Sequence, residues 1–184
     1  MPNPPAAGYT RTAIALHWLV FALIAAGFSV GLWMVEQPIL PSTLRVYAYH
    51  KWIGITVFLL ALPRLGWRLG HPVAGEPSLP RWQRRAAVAT HRLLYALILA
   101  IPLSGWIYSS ATGVQVVYLG LFPLPDLVAK DRALAAILKT IHATLNFTLL
   151  GVVILHSGAA LKHHFVDRDG VLLRMLRPVR PGRG

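Results

Sequence analysis

Long stretches without a charged residue constrain the possible folds of this 184-residue chain more than any other feature. No Asp, Glu, Lys or Arg occurs within residues 12–35, 93–125 or 140–161. An α-helix rises about 1.5 Å per residue, so roughly 20 such residues cross the hydrocarbon core of a bilayer. Hydrophobic residues make up 55% of the chain and charged residues 13%, a composition too apolar for the wet surface of a soluble domain. The sequence therefore predicts a membrane protein.

The apolar stretches predict an all-α fold, a four-helix transmembrane bundle in one domain over residues 1–184. The predicted spans are about 12–35, 47–67, 87–109 and 135–165. Asp126 is a candidate N-cap if the fourth helix begins earlier, and the Gly and Pro residues before it predict a re-entrant or interfacial loop. Amphipathic indole rings prefer the membrane interface, and five of them lie near the predicted span ends: Trp18, Trp33, Trp52, Trp67 and Trp106.

Basic residues set the predicted orientation. Most of them fall on the side that holds both termini, including Arg180 and Arg183, while the opposite side carries only Arg45, Lys51, Lys130, Arg132 and Lys139. The positive-inside rule then places both termini in the cytoplasm. The basic segment 169–184 is predicted to lie on the anionic inner leaflet, with a disordered tail as the alternative.

Charge and cysteine content exclude several classes of function. A net charge of +12 is typical of proteins that bind nucleic acid or anionic lipid. Here the basic residues are spread along the predicted membrane edges, so nucleic-acid binding is excluded and membrane lipids remain as the partner. The chain contains no cysteine, so disulfides, thiolate metal sites and iron–sulfur clusters are excluded. Any redox chemistry must therefore come from a bound cofactor.

Histidines inside the predicted spans are candidate functional residues, because an ionisable group is costly there. His142 and His156 are fourteen residues apart, hence on nearly one helix face and roughly 21 Å apart along the axis. One haem cannot contact both, whereas two stacked haems can, each with a second imidazole from another helix. The depth of each span predicts His50 as the partner of His142 on the outer iron and His17 as the partner of His156 on the inner iron.

The other histidines have alternative interpretations. His91 competes with His17 for the inner iron, and we favour His17 because His91 lies beside Arg92 near the interface. A hydrogen bond to a backbone carbonyl is the simpler explanation for any single one of them. His71 is expected in a solvated loop, and His163 and His164 are not expected to form a metal site because carboxylate partners are lacking nearby.

Four further residues are predicted haem contacts. Gly31 and Gly105 follow His17 and His91 by fourteen residues, at the depth of the outer haem, and Gly151 lies between the two histidines of the fourth span. Arg64 follows His50 by fourteen residues and is placed to pair with haem propionates. The alternative for each glycine is ordinary helix packing, and the alternative for Arg64 is snorkelling to lipid headgroups.

Several segments resemble the bacterial di-haem cytochrome b561 family over almost the whole chain. They are LHWL around His17, YHKWIG around His50, THRLLYALILAIPLSGW around His91, and IHATLNFTLLGVVILHSGAALKHHF followed by DRDGVLLRML. The resemblance implies two b-type haems ligated by the same four histidines.

The resemblance also implies a superoxide oxidase. Periplasmic superoxide would reduce the outer haem, and ubiquinone would accept two electrons, with protons, near the inner haem. The quinone site is expected at His163, Lys162, Arg11 and His91. Superoxide is an anion, and steering is expected from the basic residues of the outer side, Arg45, Lys51, Lys130, Arg132 and Lys139.

Two other functions are weighed against this one. Bis-histidine iron is coordinatively saturated, which favours outer-sphere one-electron transfer. The same chemistry suits a cytochrome b subunit that exchanges electrons between quinone and a redox protein partner, either a dehydrogenase or a periplasmic cytochrome. A channel or transporter is disfavoured, because only the histidines are placed to line a polar path.

Overall fold

A computed structural model describes residues 8–73 and 80–178 of the chain. Four long helices dominate it: α1 (Arg11–Val35), α2 (Pro41–Gly70), α3 (Arg81–Thr112) and α4 (Arg132–Lys162). A two-stranded antiparallel hairpin, β1 (Val117–Tyr118) and β2 (Phe122–Pro123), lies between α3 and α4. A π-helical turn (His163–Asp167) and a 3-10 turn (Leu173–Met175) follow α4. The predicted all-α four-helix fold is confirmed, and all four helices are long and apolar enough to span a membrane.

Helix boundaries differ from the predicted spans because hydropathy marks only the hydrocarbon segment of a longer helix. Pro41 occupies the first turn of α2, where its missing N–H costs nothing, and α3 begins at Arg81. The proposed N-cap at Asp126 is wrong. Asp131 caps α4 instead, since its carboxylate accepts hydrogen bonds from the Ala133 and Leu134 N–H groups at 2.8 and 3.0 Å.

The helices alternate in direction, so each end of the bundle gathers four helix ends. α1 packs mainly on α2, α3 packs on α4, and α2 joins the two pairs through α3. We call the end that holds Arg11 and Lys162 the terminal end, and the end that holds β1 and β2 the hairpin end. Trp67 Nε1 donates to Thr10 Oγ1 (2.9 Å) at the terminal end, and Trp52 Nε1 donates to the Val117 carbonyl (2.7 Å) at the hairpin end.

The middle of the bundle is filled with aliphatic side chains. Its buried cluster consists of Ala61, Leu97, Ile98, Ile101 and Leu149. Outward-facing residues are apolar too: Leu155 is 73% exposed and Ile154 is 61% exposed. A surface of this kind is expensive in water and suits hydrocarbon, which agrees with a multi-pass membrane protein.

The described part of the basic tail folds back toward α1. Trp18 Nε1 donates to the Met175 carbonyl at 2.9 Å, and Val171 and Leu172 are half-buried. Residues 179–184, with Arg180 and Arg183, lie outside the described part of the chain. Contact of the segment 169–184 with a lipid leaflet stays a prediction.

Candidate functional site

Two histidines from different helices face each other at the hairpin end. The ring centroids of His50 on α2 and His142 on α4 are 6.3 Å apart, with the ring planes at 86°. His50 Nδ1 donates to the Gly27 carbonyl at 3.0 Å, and His142 Nδ1 lies 3.1 Å from the Ile101 carbonyl and 3.0 Å from Ser104 Oγ. Because a carbonyl only accepts, Nδ1 of each ring carries the hydrogen, and the Nε2 lone pair is left for a metal.

Three histidines meet at the terminal end. His17 on α1 and His156 on α4 have ring centroids 6.3 Å apart, and His91 on α3 lies 5.3 Å from His156. His91 is nearer the bundle interior than the sequence suggests, because α3 begins ten residues before it at Arg81. Arg64 donates from Nη2 to His17 Nδ1 at 2.8 Å. A guanidinium only donates, so this neutral ring carries its hydrogen on Nε2, unlike the rings of the hairpin-end pair.

Ring separation tests whether each pair fits one metal ion held between two imidazoles. Imidazole nitrogen binds transition metals at about 2.0–2.1 Å, which puts the centroids of two opposed rings about 6–6.5 Å apart. The separations of His50 from His142 and of His17 from His156 meet this requirement, and that of His91 from His156 is too short. Ligation by His17 through Nε2 additionally requires Arg64 to leave Nδ1.

Two predicted glycine contacts lie directly against the hairpin-end rings. A Cβ at Gly31 would be 3.0 Å from His50 Cε1, and a Cβ at Gly105 would be 2.9 Å from His142 Cε1. Each glycine therefore lets a histidine ring approach the neighbouring helix backbone. A Cβ at Gly151 would meet nothing within 4 Å, so this position is open.

Sequence reasoning missed the groups that orient the hairpin-end rings. The buried Gly27 supplies the carbonyl for His50, and it forms with Gly31 a G-x-x-x-G pattern, GFSVG, which signals close helix approach. Ser104 Oγ donates to the Ile101 carbonyl at 2.8 Å, beside His142. No pattern in the sequence distinguishes Ser104 from other serines, because its role depends on the α3–α4 packing.

The basic residues of the hairpin end are not equivalent. Lys51 is half-buried next to His50, and its Nζ donates to Ser109 Oγ at 2.7 Å. Within residues 8–73 and 80–178, no carboxylate forms an ion pair with Lys51. The aliphatic chain of Lys130 packs near Gly113, a position in the left-handed conformation that ends α3. The other three, Arg45, Arg132 and Lys139, are exposed.

At the terminal end, His163 lies among carboxylates. Its Nδ1 is 2.7 Å from Asp169 Oδ2 and 3.1 Å from Asp167 Oδ2, while Lys162 Nζ contacts Asp167 at 2.6 Å. The expectation that His163 lacks carboxylate partners is therefore wrong. The π-helical turn and the left-handed Arg168 (φ 54°) fold both aspartates back onto it. Arg11, also predicted for the quinone site, is exposed at the start of α1, and His71 stacks on Trp67 outside the histidine layer.

Comparison with known proteins decides the family. A family model described as prokaryotic cytochrome b561 matches residues 8–178. The chain belongs to this family. Cytochrome b561 homolog 2 of Escherichia coli (strain K12) is 35% identical over 170 residues, covering 91% of this chain and 90% of the relative. Cytochrome b561 family membership implies b-type haem and electron transfer in a membrane.

Two further relatives are about equally distant from this cytochrome b561. A protein described as a probable superoxide oxidase from Yersinia pestis is 30% identical over 181 residues, covering 91% of this chain and 95% of the relative. Cytochrome b562 of Cereibacter sphaeroides is 30% identical over 177 residues, covering 93% and 96%. Similarity extends over nearly the full length in each case.

Replacing Gly105 with Ala is expected to destabilise this cytochrome b561. The added methyl would be 2.9 Å from His142 Cε1, and a retreat of the ring from α3 would weaken the contacts of its Nδ1 with the Ile101 carbonyl and Ser104 Oγ. Overpacking of this kind costs about 1–3 kcal/mol. Thermal unfolding in detergent, followed by circular dichroism, measures the loss.

Gly151→Ala is the matched control. Nothing lies within 4 Å of the added methyl, and Ala is favoured over Gly within a helix by about 0.5–1 kcal/mol. The two substitutions should therefore shift the unfolding midpoint in opposite directions. Equal shifts would show that Gly105 is not a close-approach position.

Proposed function

We propose that this cytochrome b561 oxidises superoxide on one side of the bacterial inner membrane and reduces ubiquinone on the other. Two superoxide anions lose one electron each and become two molecules of oxygen. One ubiquinone takes up both electrons and two protons and becomes ubiquinol. The hairpin end faces the periplasm in this proposal, and both termini are cytoplasmic, as the distribution of basic residues favours.

The observation that carries the proposal is the equal separation of two histidine pairs, one at each end of the bundle. His50 with His142, and His17 with His156, both have centroids 6.3 Å apart, which suits one iron per pair. We assign a b haem to each pair, giving two. A haem held by two imidazoles exchanges single electrons without opening a coordination position. The pairs are separated by roughly 21 Å along α4, so they would connect the two membrane faces.

The packing between the two histidine layers supports electron transfer over transport. Among the described residues, the buried polar side chains Thr43, Ser104, Ser109 and Ser110 all lie toward the hairpin end. The middle of the bundle is the aliphatic cluster around Ala61 and Leu149. An aliphatic cluster of this kind excludes water and ions from the path between the two histidine layers, whereas an electron needs no polar path.

Lys51 is the residue we place closest to arriving superoxide. It follows His50 directly, it is half-buried, and its ammonium group is held by the neutral Ser109 hydroxyl. Its positive charge therefore remains available to an anion. The exposed Arg45, Lys130, Arg132 and Lys139 would add a wider positive field at the same end.

The quinone site is proposed at the terminal end, near His17 and His156. Asp169 and Asp167 hold His163 through its Nδ1, and we assign the other ring nitrogen, Nε2, to proton transfer with the quinone. Arg11 would add positive charge, Lys162 would border the site while paired with Asp167, and His91 lies beside His156. Protons would then be drawn from the cytoplasmic side.

Rapid mixing of the purified protein with superoxide tests the reaction. We expect superoxide to reduce the b haem, which the visible absorbance reports, and superoxide dismutase to abolish this reaction. When ubiquinone is present, we expect ubiquinol to form. If superoxide does not reduce the protein but ubiquinol does, the function is that of a cytochrome b electron-transfer subunit for a protein partner. That outcome would overturn the superoxide half of the proposal and leave the haem assignment intact.

Replacing Lys51 with Gln should slow superoxide-dependent reduction by about threefold to tenfold at low ionic strength, with a weaker dependence on salt, because it removes a favourable charge from the approach path. Stopped-flow absorbance measures the rate, and the visible spectrum checks that the haem environment is unchanged. Arg85→Gln removes the same charge from an exposed position at the terminal end and should leave the rate unaltered. Equal rates for the two variants would contradict a role for Lys51.

A further inference from the structure

Arg68 presents a buried cationic group that the proposed function does not use. It lies on α2, one helical turn after Arg64, and its Nη1 is buried with no hydrogen-bond partner among the residues that the structure describes. The guanidinium lies over the Tyr9 ring, 5.7 Å from the centroid, and the Arg64 guanidinium lies 5.2 Å from the Tyr95 centroid. A buried N–H group without an acceptor costs roughly 1–3 kcal/mol and calls for an explanation.

Within residues 8–73 and 80–178, no carboxylate balances the charges of Arg64 and Arg68. In the described ranges, the ion pairs are those that Lys162 and His163 form with Asp167 and Asp169. Arg64 and Arg68 take part in none of them. Two permanent positive charges therefore stand together at the edge of the terminal-end histidine layer, in a chain where such charge is expensive.

The chemistry of the two side chains selects the ligand. A guanidinium group is a planar fork of N–H donors, which matches the oxygen pair of a carboxylate better than a single point charge does. A b haem carries two carboxylate arms. Ligation by His17 also requires Arg64 to leave the His17 Nδ1 atom, and a carboxylate acceptor supplies it with another partner.

We propose that Arg68 and Arg64 together bind the carboxylates of the haem held by His17 and His156, with Arg68 as a site residue that no sequence pattern indicates. The inference depends on the proposed function, which places a haem there. Lipid phosphate is the other source of an anion. A snorkelling arginine, however, exposes its guanidinium to the headgroups, as at the exposed Arg81, whereas Arg68 Nη1 is buried in the bundle.

Redox titration of the purified holoprotein tests the proposal. Haem content of the wild type is measured first, so that a failure of the di-haem assignment is recognised separately. In Arg68→Gln we expect the equilibrium constant for reduction of one haem to fall about tenfold, or ~59 mV, because the added electron loses a nearby positive charge. The other haem should be unchanged. Arg81→Gln, at an exposed position of the same end, should shift neither haem.

Two additional arms keep the outcome decisive. Arg68→Lys keeps the positive charge and loses the fork of N–H donors, so it should lower the haem potential by less than half as much as Arg68→Gln does. If Arg68→Gln fails to fold, Arg68→Lys takes its place, and a smaller lowering of the same potential is expected. Each titration is run in a maltoside detergent and in phosphatidylglycerol nanodiscs. A shift present in both media supports haem carboxylates. A shift confined to the nanodiscs would assign Arg68 to lipid phosphate, and no shift in either medium would overturn the inference.

Discussion

Replacing His142 with Ala is expected to reduce the haem content from about two to about one per polypeptide, because the proposed outer iron loses one of its two imidazoles. The terminal-end histidines lie on the far side of the aliphatic cluster and should retain their haem. His50→Ala should have the same result, since His50 and His142 are assigned to one iron. Pyridine haemochrome assays and reduced-minus-oxidised spectra measure both stoichiometry and the surviving haem.

His71→Ala is the control for these two variants. Its ring stacks on Trp67 at 4.2 Å, outside the histidine layers, so both haems should remain. Loss of both haems from His142→Ala, or of neither, would contradict the assignment. Different surviving spectra in His50→Ala and His142→Ala would show that the two residues serve different irons.

His17→Ala and His91→Ala separate the two candidates for the inner iron. We expect His17→Ala to retain about one haem and His91→Ala to retain about two. The reason is distance: the His17 and His156 centroids are 6.3 Å apart, whereas His91 is only 5.3 Å from His156 and cannot oppose it across one metal ion. Haem stoichiometry and the midpoint potentials of the remaining haems are the measurements.

The reverse pattern, with both haems kept in His17→Ala and one lost in His91→Ala, would transfer ligation to His91. Loss of one haem in both variants would show that the inner haem requires both residues and would contradict the expected retention of two haems in His91→Ala. His156→Ala provides the reference for complete loss of the inner haem, because both candidate pairs contain His156.

The four-helix architecture was predictable because transfer of charge into hydrocarbon dominates the energetics of such a chain. Uncharged stretches around residues 12–35 and 140–161 leave few alternatives to helices that satisfy their own backbone hydrogen bonds. The helix ends were less predictable. Asp131, rather than Asp126, caps α4, since capping depends on which carboxylate meets free N–H groups after the loop has folded.

Helical periodicity alone relates His142 to His156 and predicts the layered arrangement of the histidines. Periodicity does not reveal that the Gly27 and Ile101 carbonyls set the hydrogen positions of His50 and His142, because these contacts cross between helices. It also misses the aspartates that the π-helical turn folds onto His163.

The amino-acid order by itself determined the membrane class, the helix number and the spacing of His142 and His156 along one helix, because these depend on local hydropathy and on a fixed rise per residue. Only the tertiary structure decided which carbonyls hold the His50 and His142 rings, that His91 joins the His156 layer, and that Arg68 carries a buried donor with no acceptor in the described part of the chain. Such properties arise from the rotation and approach of neighbouring helices. Those depend on packing at glycines such as Gly31 and Gly105, where no side chain separates a ring from a backbone.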